Sequence, residues 1–516
     1  MSTLYKQPRP GHYRVQEGVH LVSQDGSVLA VCDYPLRIVR LHPMAANLLT
    51  LCSEEHTCEQ LAQATNMPIK RIEALCDQLR WKGLLEAGPP LPPPTWPFVS
   101  IVIPSYNRAK ELQRCLSSLF VLDYPVVCLE IIVVDDASTD ETSSLLQQLE
   151  QEAATHGLAM CVVRHEKQQG VGISRNSGAE VAQYDLIAYL DSDCVASPSW
   201  LRELVPVFQD TRIGAVGGMI RAYDRKTLLG RYEDVRSSLY MGARSQQVSL
   251  KGPITYLPTA NMVVRRTIWQ ELAGFAPMTQ GEDVDFCRRL LMTEAKMNYI
   301  SQGVVYHDYR TTLDAFLSIR AAYASAEAAL LKRHPTERRI LLMPPEQAIF
   351  AVSLIGGAWG VIWLLLRSIW YGFQSSAFAI AFLPLLLALL LILFGTFNRL
   401  RKVKEYGNAI KLPIVIKATL RGYLAYTYHL SRHLTRYYTL PLFVVSILVF
   451  PVFILLLILC GILIGVDYVR LRPEMDVGRY ALCSLLDDCA YEVGVVWGCI
   501  KYGVWKPLVP VIKTRV

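Results

Sequence analysis

The chain is short of charge and empty of paired cysteine motifs. Only 19% of its 516 residues are charged while 52% are hydrophobic, against roughly 25% charge in an ordinary soluble domain. Part of it is therefore made for lipid, and a disordered chain is excluded. No CxxC pair occurs among the 13 cysteines, which argues against zinc ribbons and thioredoxin-type redox motifs. An odd, scattered set reads as apolar filler in a reducing compartment rather than as a disulfide scaffold. The opening MSTLYKQPRPGHYRVQEG contains no apolar run, so no secretory signal is expected. Internal repeats and low-complexity tracts are missing too. The excess of one charge sign is mild, 52 Lys and Arg against 45 Asp and Glu. That suits an anionic surface somewhere but not a dedicated nucleic-acid binder.

What is present falls into four stretches. From Tyr13 to Glu86, HYRVQEGVHLV and GSVLAV read as strands around a turn at Asp25-Gly26. Three segments with helical spacing follow, the last closed by Gly83. Strands followed by three helices are the outline of a winged-helix unit, expected over residues 1–88. The proline-rich GPPLPPPTWP is a stiff linker, which sets a boundary at residues 89–97. From Phe98 onward buried strands alternate with helices (FVSIVIP, KELQRCLSSLF, CLEIIVVDD, TSSLLQQLEQEAATHG). This predicts an α/β domain with a parallel-type sheet over residues 98–345. Residues 346–516 are expected to form a helical membrane-associated region. Ala348–Leu366 and Ala377–Thr396 each approach the roughly 20 apolar residues that span a bilayer. Leu440–Val466, interrupted by Pro451, Gly461 and Gly465, fits either one tilted span or two short interfacial pieces. Between them, Arg399–Tyr438 is rich in Arg, Lys and Tyr and suits a headgroup-facing helix.

The chemistry is spread along the middle domain. PSYNR (Pro104–Arg108) follows the first strand, VVDDASTD (Val133–Asp140) ends the second, and QGVGISRNSGA (Gln169–Ala179) opens a helix. YLDSDC (Tyr189–Cys194) ends a further strand, GEDVDFCRRL (Gly281–Leu290) opens a later helix, and VVYHDY (Val304–Tyr309) comes after it. A lone DxD or a lone glycine turn is commonplace. Acids at successive strand ends, followed by an acidic cluster and a histidine, are not, and strand ends are where open α/β sheets bind ligands.

In that order these motifs resemble family 2 glycosyltransferases of the GT-A fold, over roughly Val99 to Tyr309. The resemblance implies a nucleotide-diphosphate sugar as donor. It places Pro104, Tyr106 and Asp136 on the nucleoside, Asp191 on the ribose, Asp193 and His307 on a divalent metal, and Asp283 as the base, with Glu282 and Asp285 as the nearby alternatives. Gly170, with Gly172, would let the backbone approach the donor, and Arg175 and Asn176 would reach its oxygens. A hard cation suits the departing diphosphate, and an imidazole ligand tilts the choice from magnesium towards manganese. Inversion at the sugar carbon is expected.

The first 88 residues also resemble the PqqD-type peptide-recognition domain, which adds an extended peptide to a sheet edge. Their basic and acidic residues balance, whereas a DNA-binding winged helix carries a basic face; no nucleic-acid partner is expected. Together with HDYRTTLDAFLSIRAAYASAEAALLKRHP and LLDDCAYEVGVVWGCIKYGVWKPL, the architecture resembles the mycofactocin-biosynthesis glycosyltransferase family. That resemblance implies transfer of glucose from UDP-glucose, as a β-1,4-glucan, onto a cofactor made from a ribosomal peptide. The apolar segments, with the basic stretch that lies between them, point to a cell-membrane location with the catalytic domain on the cytoplasmic side. The alternative is a polysaccharide or lipid-linked transferase of the same fold, although the QxxRW motif of processive synthases does not occur here.

Overall fold

A computed structural model describes residues 8–24, 27–33, 36–250, 252–371, 375–404 and 412–514. The turn expected at Asp25-Gly26 lies outside the described residues. The chain forms two compact units, each discontinuous in sequence: Pro92–Glu337 with Arg470–Leu508, and Met1–Leu91 with Arg338–Val469 and Val509–Val516.

The first unit is built on an eight-stranded sheet. Its strand order is Gln246–Val248, Lys296–Tyr299, Ile213–Gly217, Asn261–Arg265, Leu186–Leu190, Val99–Ser105, Leu129–Asp135 and Ala159–Arg164. The last four run parallel. Asn261–Arg265 is antiparallel to both of its neighbours, and Gln246–Val248 is antiparallel to Lys296–Tyr299. The sheet is therefore mixed, which corrects the parallel-type expectation. The run NMVVR is buried on both faces, and such a strand looks the same in sequence whichever way it runs. Alternate residues feed two cores. Ile101, Ile103, Ile131 and Val133 pack with Leu112 and Leu116 of helix Ala109–Leu119. Val102, Ile132 and Val134 pack on the side of Ala179, Phe286 and Leu290. A small second sheet joins Cys194–Ala196, Val305–His307 and Ile220–Ala222, with Cys194 opposite His307.

The helical residues from 346 onward are divided between the two units. Helix Val477–Tyr502 lies against helix Leu313–Arg333 of the sheet unit. Gly494 and Gly498 make the contact: a Cβ on either would stand 2.2 Å from the Ala321 carbonyl oxygen or 2.5 Å from that of Ser325. Tyr232 donates to Asp487 at 2.9 Å, and Arg320 reaches Glu233 at 2.6 Å. All four side chains are buried.

The second unit holds two three-stranded sheets, Val19–Gln24/Ser27–Asp33/Leu36–Leu41 and His56–Thr57/His12–Val15/Leu85–Ala87. Helices Pro43–Leu51, Cys58–Thr65 and Ile69–Trp81 stand with them. Thr57 and Gln60 form a capping box that fixes the start of the middle helix. The strand Ser27–Asp33 is buried on both faces. Ala30 and Cys32 pack with Leu48, Leu61 and Ile72, while Val31 packs with Val403 and Val415. Four long helices complete the unit: Pro345–Tyr371, Ser375–Val403, Leu412–Leu448 and Phe450–Leu471. Pro345–Ile369, Phe382–Val403 and Phe450–Leu471 are long and apolar enough to cross a membrane. From Leu412 onward the Arg-rich segment belongs to helix Leu412–Leu448, which loses regular geometry at Tyr438 and ends before Val449. Residues 405–411 of that segment lie outside the described residues.

Candidate active site

Four of the motifs converge at the carboxyl ends of the parallel strands. Asp191 leaves the strand Leu186–Leu190, and helix Val171–Val181 opens beside it from Gly170, whose φ of 95° requires glycine. One turn into that helix, Arg175 is buried between two carboxylates, 2.7 Å from Asp191 and 2.6 Å from Glu282. This guanidinium ties the DxD motif to the acidic helix Glu282–Leu290. Burial alone would lower its pKa, but the two anions raise it, so the clamp is always charged.

The three acids of that helix are in different states. Glu282 is paired with Arg175. Asp285 is fully buried and accepts from Arg289 at 2.9 Å, Arg333 at 2.6 Å and His334 at 2.9 Å. Burial would lift its carboxyl, yet the charge of Arg289 and the hydrogen bonds from all three side chains hold it below the ordinary carboxylate range. Asp283 is half-buried and, among the described residues, accepts only from the N–H of its neighbour Val284, at 2.7 Å. Burial first, and then the charge of Glu282, lift its carboxyl to about 7 despite Arg175. A helix N-terminus stabilises carboxylate charge; here desolvation and a like charge outweigh it.

Asp193 sits beneath this group. Pairing Cys194 with His307 brings the imidazole Nε2 to 3.6 Å from Asp193 Oδ1. Arg108 pairs with the other carboxylate oxygen, and Arg310 lies 3.9 Å away. Burial would raise Asp193, but His307, Arg108 and Arg310 together hold it low. His307 Nδ1 is buried and has no hydrogen-bond partner among the described residues. A low-lying carboxylate next to an imidazole with an unused nitrogen is a donor set that fits a divalent cation. Cys194 is also near, but burial keeps its thiol protonated and so a poor ligand.

The remaining motif residues build the loop side of the site. Asp136 accepts from the Gln169 and Gly170 N–H groups at 2.9 and 2.8 Å and lies 2.7 Å from His165 Nδ1. Burial pushes its carboxyl up, and these bonds pull it below the usual range. Asn107, in the left-handed region with φ 50°, donates its N–H to Ser138 and accepts from Thr139, stitching the first loop to the second. Pro104 is the last residue but one of the buried strand Val99–Ser105, and Tyr106 is exposed beyond it. The expectation put Arg175 and Asn176 on donor oxygens. In the structure Arg175 is the clamp just described, and the Asn176 amide is taken up by the Phe275 backbone, donating to its carbonyl and accepting from its N–H, both at 2.8 Å. Arg108, His165 and Arg310 were given no role from sequence, and Glu282 was read only as part of the acidic pair and an alternative base, not as the partner of Arg175. Arg108 lies inside PSYNR, where its charge in a ligand loop was the available signal.

Residues 100–273 match the family described as Glycosyl transferase family 2. The middle of this chain is thus a family 2 glycosyltransferase domain of the GT-A fold, and the protein is a transferase. Over 507 residues it is 28% identical to the pre-mycofactocin glycosyltransferase of Mycobacterium tuberculosis, strains CDC 1551 and H37Rv, with 95% of both chains covered. Glycosyltransferase AglE of Haloferax volcanii is 30% identical over 198 residues, 38% of this chain and 62% of that one. Among solved structures, S. aureus TarS 1–349 matches at 20% identity over 45% of this chain and 65% of its own, with a TM-score of 0.35.

Proposed function

We propose that the protein is an inverting transferase that moves a sugar, in our reading glucose from UDP-glucose, onto a mycofactocin precursor derived from a ribosomal peptide. The observation that carries this is the match to the pre-mycofactocin glycosyltransferase along 95% of both chains, which takes in the N-terminal and C-terminal regions outside the family 2 domain.

In this reading Pro104, Tyr106 and Asp136 line the nucleoside end of the donor site. Gly170 brings backbone close to the diphosphate, and Asp191 accepts from the ribose. Asp136 Oδ2 takes one N–H, from Gly170, and a carboxylate oxygen has room for another. Asp193 and His307 would hold a divalent metal, which would offset the charge of the departing diphosphate. Arg108 would give up its place on Asp193 as that happens. Asp283 takes the proton from the acceptor hydroxyl as the new bond forms at the sugar carbon and the bond to phosphate breaks. A base poised near neutral pH suits that step, and Asp283 is the acid of its helix without a cationic partner.

The N-terminal strands and helices serve as a PqqD-like docking domain for the peptide. Both outer strands of the Val19–Leu41 meander end the sheet, so an extended peptide could add to either. The three apolar helices anchor the chain at the cell membrane, with the catalytic unit on the cytoplasmic side where nucleotide sugars are made. Mass spectrometry of products formed from the matured peptide with several nucleotide sugars tests the whole reading. A peptide gaining hexose only with UDP-glucose supports it. Sugar appearing on lipid alone would favour the lipid-linked alternative.

A further inference from the structure

The strand Ile340–Leu342 precedes the first apolar helix, and it pairs in parallel with Val511–Lys513, which follows the last helix. Separately, Arg470–Leu508 folds into one compact unit with Pro92–Glu337. The chain therefore enters and leaves its apolar region on the same side of any bilayer. The number of crossings between Pro345 and Arg470 must be even. Among the described residues three helices have the length and composition to cross, so not all three do so unless a fourth crossing accompanies them.

We propose that Pro345–Ile369 and Phe382–Val403 cross as an antiparallel pair, and that Thr439–Leu471 is a re-entrant hairpin. It enters the leaflet on the side of the two chain ends, reaches about mid-depth and returns. The chain doubles back here: the Tyr428 hydroxyl donates to Asp467 at 2.7 Å, on opposite sides of the break at Val449. From Thr439 to Val466 there is no charged residue, while Arg432, His433 and Arg436 stand immediately before. The first arm, Thr439–Leu448, is about 15 Å long at ~1.5 Å per residue. A hydrocarbon core is about 30 Å thick, so this arm is too short to be the fourth crossing.

The depth of the tip agrees. The Trp359 indole N–H donates to the Pro451 carbonyl at 2.6 Å, and the Trp363 ring lies 6.1 Å from that of Phe450. Trp359 falls near the middle of helix Pro345–Tyr371, whereas Glu346 and Phe350 at its start meet Tyr423. The tip itself exposes Ile447, Leu448, Val449 and Phe450, with none of the polar residues that a turn emerging on the far surface would carry. Its break also wastes little hydrogen bonding: Val449 N–H bonds to Val445, Val452 N–H to Val449, and Pro451 has no N–H to satisfy. Those are the terms on which an irregular backbone can sit in lipid. The partner of this surface is the acyl-chain layer of a single leaflet.

The inference rests on the membrane association proposed above, but not on which side is cytoplasmic. Epitope tags placed at each terminus and after Tyr371, in the full chain, are tested for protease access in membrane vesicles of known orientation. Both terminal tags should be cut from one side and the Tyr371 tag from the other. Terminal tags on opposite sides would overturn the even count, and full-length chain recovered as soluble protein would overturn the membrane reading itself. The second measurement uses Leu448→Cys, whose side chain is 86% exposed, and a membrane-impermeant maleimide, with the labelled peptide identified by mass. Labelling should be lost from either face of sealed vesicles and restored by detergent. Labelling from the far face would mean full crossings, and labelling from the near face a surface helix; either result overturns the hairpin.

Discussion

Asp283 and Asp285 stand two positions apart on one helix in opposite states, and sequence alone could not separate them. Both are acids in a first turn. What distinguishes them is the arrival of Arg333 and His334, from a helix far along the chain, at one and not the other. The consequence is testable through pH. A carboxyl lifted to about 7 is protonated and useless as a base in acid, so kcat/KM should rise with pH and level off above about 7. Asp283→Asn should lower turnover by about 10²–10⁴ and abolish that limb, with donor affinity nearly unchanged in a binding assay. Since Glu282 holds the Asp283 pKa up and Arg175 pulls it down, Glu282→Gln should move the limb to lower pH. A limb that stays in place would show that it belongs to another group. Asp285→Asn should leave the limb alone and instead cost about 3–5 kcal/mol in unfolding free energy, because it strips a buried charge from its partners. Asp193→Ala should remove most transfer, and chelation of the wild type should do the same, with manganese restoring it. Full activity after exhaustive chelation would show that side chains alone stabilise the leaving group.

At the scale of elements, the apolar runs Val99–Ser105, Leu129–Asp135 and Leu186–Leu190 were legible because strands covered on both faces have no polar side. The same uniformity hid the antiparallel strand Asn261–Arg265. The C-terminal helix Val477–Tyr502 is not among the helices apolar enough to cross a membrane, although its Gly, Val and Trp content resembles theirs. Its acids give it away, since Asp487, Asp488 and Glu492 are all buried. The glycines of that helix are spacers that let two backbones touch. Gly498→Val would drive a side chain into the Ser325 carbonyl, and backbone cannot swing aside as a side chain can. That change should lower the melting temperature and release the C-terminal helix to protease, while Val493→Ala, at an exposed position of the same helix, should do neither.

At the scale of the whole molecule, Arg399, Arg401, Lys402, Lys404, Lys417, Arg421, Arg432 and Arg436 border the apolar helices with few acids among them. Positive flanks stay cytoplasmic, so a reporter inserted after Pro97 should register as cytoplasmic; a signal from the opposite side would reverse the proposed orientation. The N-terminal domain was legible in outline, but its attachment was not. Nothing in SVLAVCD announces that Val31 faces Val403 and Val415, far away in sequence. The discontinuity of the sheet unit also has a bearing on how the protein is made. Domains tend to fold as they leave the ribosome, yet Tyr232, Glu233 and Arg320 wait for Asp487 and the glycine seam, which are translated only after every apolar helix. The chain must therefore complete its long apolar helices while its own half-finished domain stands open. A message cut short after Leu471 would yield a chain with every catalytic motif and no closed domain to hold them.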